Sequence, residues 1–268
     1  MALFNAAKRY LKTVGRAVGT ATVGLSSPDG RRDMRDLSNF LAGSADGGAG
    51  GDAPLTGAQP LRMIDLDDFW PNDRAICLSE LRATSHNVTE RELITLCALA
   101  ASTEGGRFFE FGTFDGRTGV NLLRNNARAE LHTLDLPPEE MISGTRDEAR
   151  GRPGIRLREA TDLQGRYTFI SSRSDQYDYR EFEDSMDFVF VDAGHGYDAV
   201  KHDSSAAAGM LRDGGIIAWH DYGHLRGCEP FPGLTRAVDE FFARGNAPGV
   251  GVTIRGTRIA ACLPEQLL

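Results

Sequence analysis

Five short apolar runs, each followed by glycine or a polar residue and separated from the next by a helix-forming stretch, constrain the fold of this 268-residue chain most. They are RFFEFG at 107 to 112, Leu131 to Leu134, Tyr167 to Ser171, Phe188 to Val191 and Ile216 to Trp219. Apolar runs of strand length without polar alternation belong to strands buried on both faces. Helical segments separate them, among them Tyr197 to Leu211. Thr89 with Glu92 three residues later forms a capping box, which opens a helix through Leu93, Leu96, Cys97 and Leu99 towards Ser102. Strands alternating with helices predict a parallel sheet covered on both faces, because parallel neighbours need a crossover. The expected fold is α/β and doubly wound. At the end, GVGVTIRGTRIAACLP predicts two strands around a tight Gly256-Thr257 turn, an antiparallel hairpin closing one edge.

The first 60 residues follow different rules. Leu3, Phe4, Ala7, Tyr10, Leu11, Val14 and Val18 recur at helical spacing, with Lys8, Lys12 and Arg16 four apart. This is a basic amphipathic segment, suited to packing on its own domain, to a second copy of the chain as a homo-oligomer, or to acidic lipid. Gly43 to Gly57 is too rich in glycine to order cheaply and reads as a linker. The expected organisation is an N-terminal segment over 1–42, a linker over 43–59 and a catalytic domain over 60–268. Residues 1–60 hold seven basic and five acidic side chains, whereas the remaining 208 hold 23 against 33. An acidic body makes a nucleic-acid partner a poor expectation, since phosphate binding needs clustered Lys and Arg. No apolar stretch approaches the roughly 20 residues that span a bilayer, so no integral membrane segment is expected. Cys77, Cys97, Cys228 and Cys262 form no C-x-x-C pair and read as reduced thiols of a cytoplasmic protein.

The turn after the first of the five runs carries the first chemical signal. Glycine directly after a strand lets the chain turn sharply and lets a ligand approach the backbone. A dinucleotide fingerprint would need G-x-G-x-x-G, but Phe114 stands where the second glycine should be. The spacing of Glu110, Gly112 and Gly116 instead resembles the first motif of the class I S-adenosylmethionine-dependent methyltransferases, which have a Rossmann-like sheet. The resemblance implies S-adenosylmethionine as cofactor, with Glu110, Gly112, Thr113, Phe114, Gly116 and Thr118 around its amino-acid end. It assigns Asp135, at the end of HTLDLP, to the ribose hydroxyls. By position, Ser172 and Arg173 lie beside the adenine.

The second signal is a pair of polar clusters, each directly after an apolar strand: Asp192 with His195, and His220 with Asp221. In a parallel sheet the carboxyl ends of the strands share one edge, so these clusters should face one crevice. Taken singly, Asp192 reads more readily as a helix cap and His220 as a half-buried strand-end histidine, and two such clusters converging at one sheet edge reverse that preference. Asp192-Ala-Gly-His195-Gly-Tyr197, His220-Asp221-Tyr222 and PGLTRAVDEFF at 232 to 242 look like the macrocin-type O-methyltransferases of antibiotic-sugar tailoring. Ala193 departs from the glycine of that pattern, and the resemblance covers about residues 88 to 262. It implies that Asp192, His220 and Asp221 hold a divalent metal, often magnesium. A histidine in that set suits Mn, Fe or Zn better than Mg, which prefers oxygen.

The resemblance further makes His195 the general base and gives Asp192 a part in both cofactor binding and catalysis. The implied reaction is methyl transfer to a hydroxyl of a small molecule, a sugar diol or catechol-like ring. Tyr222 and His224 are candidates for the acceptor pocket, and His86, His132 and His202 read as structural. Two other classes compete. An NAD-linked oxidoreductase or epimerase would share the sheet, with Phe114 counting against it; a non-catalytic scaffold would be expected to have lost the D-x-x-H or H-D residues, and both are present.

Overall fold

The computed structural model describes residues 61–70, 74–84, 86–103, 105–141, 153–223, 231–245 and 247–268. All of them fall within one compact unit. The basic segment over 1–42, the linker over 43–59, His224 and Cys228 lie outside the described residues.

Among the described residues, eight strands form a single sheet: β1 (Arg62–Ile64), β2 (Arg107–Phe111), β3 (Glu130–Asp135), β4 (Tyr167–Ser171), β5 (Met186–Val191), β6 (Leu211–Trp219), β7 (Val250–Ile254) and β8 (Ala260–Leu263). Their order is β1-β7-β8-β6-β5-β2-β3-β4. Every neighbouring pair is parallel except those that β8 makes with β6 and β7. The expected doubly wound α/β fold with a C-terminal antiparallel hairpin is therefore present. One detail differs. The hairpin does not close the edge, because β1 adds beyond β7 in parallel, with Ile64 opposite Ile254.

Among the described residues the α-helices are α1 (Glu90–Ala101), α2 (Arg117–Asn125), α3 (Ile155–Glu159), α4 (Tyr197–Met210) and α5 (Pro232–Ala243). The predicted capping box opens α1, with Thr89 and Glu92 satisfying each other's backbone N–H. The two sheet faces build separate cores. Phe108, Phe188, Phe190, Ile216 and Ala218 pack on one side with Leu93 and Leu96 of α1. On the other, Phe109, Phe111, Val189, Val191, Ile217 and Trp219 pack with Val200 of α4 and Val238 of α5. This two-sided burial is why the central runs are apolar throughout. Each fully buried side chain of this size contributes about 1.5–3 kcal/mol.

Chain order reverses between β2 and β5. From β2 the chain moves outward to β3 and β4, then returns to β5 and β6 on the opposite side. Ligands of open α/β sheets bind at such a switch point, outside the carboxyl ends of the strands.

Candidate active site

A cleft of about 1010 Å³ opens at that switch point. Asp135, Ser172 and Arg173 line one part of it and Asp192, His195 and Asp221 another. The two signals of the sequence thus share one cavity.

In the first part of the cleft, Gly112 directly follows β2 with φ of 92°, in the left-handed region. A Cβ there would overlap the carbonyl oxygen of Asp192 at the end of β5. The glycine is thus required first by the neighbouring strand. Phe114, also left-handed at φ of 47°, donates its N–H to Asp135 Oδ2 at 2.6 Å, and Leu136 N–H donates to Oδ1 at 2.7 Å. Each carboxylate oxygen keeps lone-pair capacity for a ligand hydroxyl.

Several residues of the turn lie away from the cleft wall. Glu110 is 1% exposed beneath the turn, where its Oε2 accepts from the Thr133 hydroxyl at 2.6 Å. Thr113 in turn lies 2.6 Å from Thr133. Burial pushes the Glu110 carboxyl up to about 8, against the Thr133 hydrogen bond. Gly116 caps α2 in the left-handed region, close to Gly154 and Leu157, and Thr118 follows in its first turn, half-buried. Ser172 and Arg173 do line the cleft, and Arg173 is paired with Asp175 at 2.9 Å.

In the other part of the cleft, His195 Nε2 lies 2.9 Å from Asp221 Oδ2, and the imidazole stacks on Phe231 with centroids 4.1 Å apart. Asp221 has φ of 60°, a strained conformation for a non-glycine residue. Its Oδ1 lies 2.6 Å from Arg258 Nη1. Burial would raise the Asp221 carboxyl, but His195, His220 and Arg258 outweigh it and hold it below its ordinary value. His220 is 5% exposed, with Nδ1 3.1 Å from Asp192 Oδ1 and Nε2 3.1 Å from Glu92 Oε2. Burial alone would lower its pKa, yet the carboxylates of Asp192, Glu92 and Asp221 hold it up to about 10.

Ligand atoms of Asp192, His195 and Asp221 all lie within 4.8 Å of one another. Two carboxylates and an imidazole at that separation fit a divalent cation. His220, which the sequence placed in this set, has both ring nitrogens facing carboxylates.

Four contributors escaped the sequence reading. Glu92 was legible only as a capping residue, and Arg258, after the Gly256-Thr257 turn, carries no local signature. His86 and Asn87 also line the cleft, with the His86 ring 5.6 Å from that of Phe114. Their segment is fastened to the glycine turn, since Asn87 Nδ2 donates to Asp115 Oδ1 at 3.1 Å and the buried Arg117 donates to Val88 O at 2.7 Å. Of the three histidines read as structural, His86 and His202 border the cleft, the latter 3.0 Å from Ser174 O, and His132 packs on Phe182. Tyr222 goes the other way. It is 4% exposed and donates its hydroxyl to Asp239 at 2.6 Å.

Comparison with known proteins agrees with this geometry. Residues 109–222 match a family of methyltransferase domains. No curated protein sequence matches the chain. Among solved structures, the methyltransferase PaMTH1 of Podospora anserina, bound to SAH, is 15% identical with a TM-score of 0.50, covering 67% of this chain and 80% of its own. The O-methyltransferase NovP is 17% identical with a TM-score of 0.50, covering 68% and 83%. An O-methyltransferase family protein from Burkholderia thailandensis is 17% identical with a TM-score of 0.47 over 65% of this chain, which spans 55% of that protein's length. At such identities the likeness is one of fold. The match over residues 109–222 together with the fold supports a class I S-adenosylmethionine-dependent methyltransferase.

Proposed function

We propose that the protein is an O-methyltransferase that methylates a hydroxyl of a small molecule, a sugar diol or catechol-like ring, in the manner of the macrocin-type branch that its D-x-x-H and H-D segments resemble. The observation that carries this reading is the 2.9 Å contact of His195 with Asp221 in the same cleft as Asp135 and Gly112. A base and a cofactor-binding wall facing one cavity are what methyl transfer needs.

Asp135 accepts the ribose hydroxyls, Ser172 and Arg173 flank the adenine, and the Gly112 turn receives the amino-acid end. Glu110, Thr113, Gly116 and Thr118 support that turn. When bound, the cofactor supplies a methyl group on a positively charged sulfur, which leaves as neutral S-adenosylhomocysteine once the methyl has bonded to oxygen. The chain's task is to place the hydroxyl in line with that methyl and to take its proton. With Nε2–H donated to Asp221, His195 carries its lone pair on Nδ1, which accepts the hydroxyl proton. Asp221 fixes the tautomer and steadies the imidazolium that results. Phe231 holds the ring by stacking. Asp192 and Asp221 are the carboxylates that would hold a divalent cation, while His195 keeps the base role and His220, both of whose ring nitrogens face carboxylates, stays outside the set. Such an ion supplies positive charge to a developing alkoxide.

The test is calorimetric titration with S-adenosylhomocysteine, followed by transfer of labelled methyl from S-adenosylmethionine to a panel of sugars and catechols, with and without Mn²⁺ or Mg²⁺. Micromolar affinity, about 8 kcal/mol, is expected. Absence of binding under every metal condition would overturn the reading.

A further inference from the structure

The segment after β4, Ser172 to Asp175, is fastened to α4 through Ser174. Ser174 O accepts from the Tyr179 hydroxyl at 2.8 Å and lies 3.0 Å from Nε2 of His202, on α4. A carbonyl oxygen can only accept, so Nε2 is the ring nitrogen that carries the proton. In the neutral ring that leaves a lone pair on Nδ1. His202 is half-buried and lines the cleft with Ser172, Arg173 and Ser174, and Nδ1 has no hydrogen-bond partner among the described residues. Other acceptors on this wall are committed or solvated. Ser174 O already faces two donors, one for each of its lone pairs. Asp175 holds Arg173 with both oxygens, at 2.9 and 3.0 Å. Asp198, one turn before His202, also lines the cleft but is exposed, so water competes for it. The Ser172 hydroxyl donates to Arg173 O at 3.1 Å, and a hydroxyl can rotate to donate or accept as its neighbour requires. Only His202 Nδ1 has its role as acceptor fixed by what the other end of its ring touches.

We propose that His202 is a specificity-determining residue of the cleft: its Nδ1 accepts a hydrogen bond from the exocyclic amine of the cofactor's adenine, so that the site selects a 6-aminopurine over a 6-oxopurine. This rests on the reading that S-adenosylmethionine binds with its adenine beside Ser172 and Arg173. The 6-amino group of adenine donates, whereas the 6-oxygen of an oxopurine only accepts. Set against Nδ1, that oxygen leaves two acceptors facing each other with no proton between them. Nε2–H cannot serve it while it holds Ser174 O. A group left without its partner away from water costs more than the hydrogen bond itself contributes, which is why a site of this kind rejects the wrong base more strongly than it favours the right one.

Calorimetry on the full chain compares S-adenosylhomocysteine with S-inosylhomocysteine, the same molecule with a carbonyl oxygen in place of the 6-amino group. The parent should bind S-adenosylhomocysteine about tenfold or more tighter. His202→Ala should weaken S-adenosylhomocysteine and bring the two affinities together. Tyr179→Phe removes the other donor to Ser174 O and so loosens the segment alone; any weakening should fall on both ligands and leave their ratio as in the parent. Ser172→Ala should likewise keep the ratio. A parent that binds S-adenosylhomocysteine no tighter than S-inosylhomocysteine overturns the proposal, whether or not His202→Ala folds. So does a His202→Ala chain that weakens both ligands and keeps the ratio, which is what a merely structural histidine would give. Loss of the ratio in Tyr179→Phe or Ser172→Ala overturns it too. A parent that binds neither ligand overturns the functional reading itself.

Discussion

Gly112 and Asp192 meet across the switch point so closely that any side chain at 112 would overlap the Asp192 carbonyl oxygen. Asp192 N–H in turn donates to Phe111 O at 2.9 Å. The glycine turn after β2 and the strand end that carries the Asp192 carboxylate are thereby one rigid contact. Displacing one displaces the other.

Gly112→Ala should therefore damage both halves of the cleft. The strained φ costs about 1–3 kcal/mol before the overlap is counted. Thermal denaturation should show a lower melting temperature, and calorimetry a weaker affinity for S-adenosylhomocysteine. A variant as stable as the parent would contradict the packing described.

Asp135→Ala removes the acceptor that orients Phe114 N–H and, in the proposed function, the ribose. Hydrogen bonds to a charged group contribute about 1.5–3 kcal/mol, so S-adenosylhomocysteine should bind roughly 10–100-fold more weakly. Unchanged affinity would place the ribose elsewhere.

Glu110 predicts a pH dependence of stability. Burial raises its pKa in the folded chain to about 8, above its unfolded value, so folding favours the protonated acid. That stabilisation is complete below the unfolded value and is lost as pH rises through about 8. Urea denaturation between roughly pH 5 and pH 9 should find Glu110→Gln gaining on the parent with rising pH, by on the order of a few kcal/mol. Parallel curves for the two proteins would show that Glu110 ionises freely.

His195→Ala should separate binding from chemistry. Affinity for S-adenosylhomocysteine should persist while turnover on an accepted hydroxyl falls about 10²–10⁴-fold. Asp221→Asn, which disturbs the tautomer, should lower kcat in the same direction. Loss of cofactor binding in His195→Ala would mean that the imidazole holds up the cleft rather than serving it.

The sheet was legible because burial leaves a mark on each strand alone. Phe108 to Phe111 and Phe188 to Val191 read as buried strands whatever their neighbours, and Thr89 with Glu92 marked the start of α1. Strand β1 was not legible: three residues, with Met63 55% exposed, make too short a pattern. At the site, Asp192, His195, His220 and Asp221 announced themselves by following apolar strands. Glu92, Arg258, His86 and Asn87 did not, because nothing in their own neighbourhoods separates a site residue from a cap or a loop.

By itself the sequence determined the α/β alternation, the strand-end carboxylates and the glycine turn, all properties of short segments. Only the tertiary structure decided which charge faces which. Glu92 comes from α1, His220 from the end of β6 and Arg258 from the connection between β7 and β8, and they meet because the strand order brings those elements to one sheet edge. Ion pairing acts over a few ångströms, so its partners are chosen by packing and not by spacing along the chain.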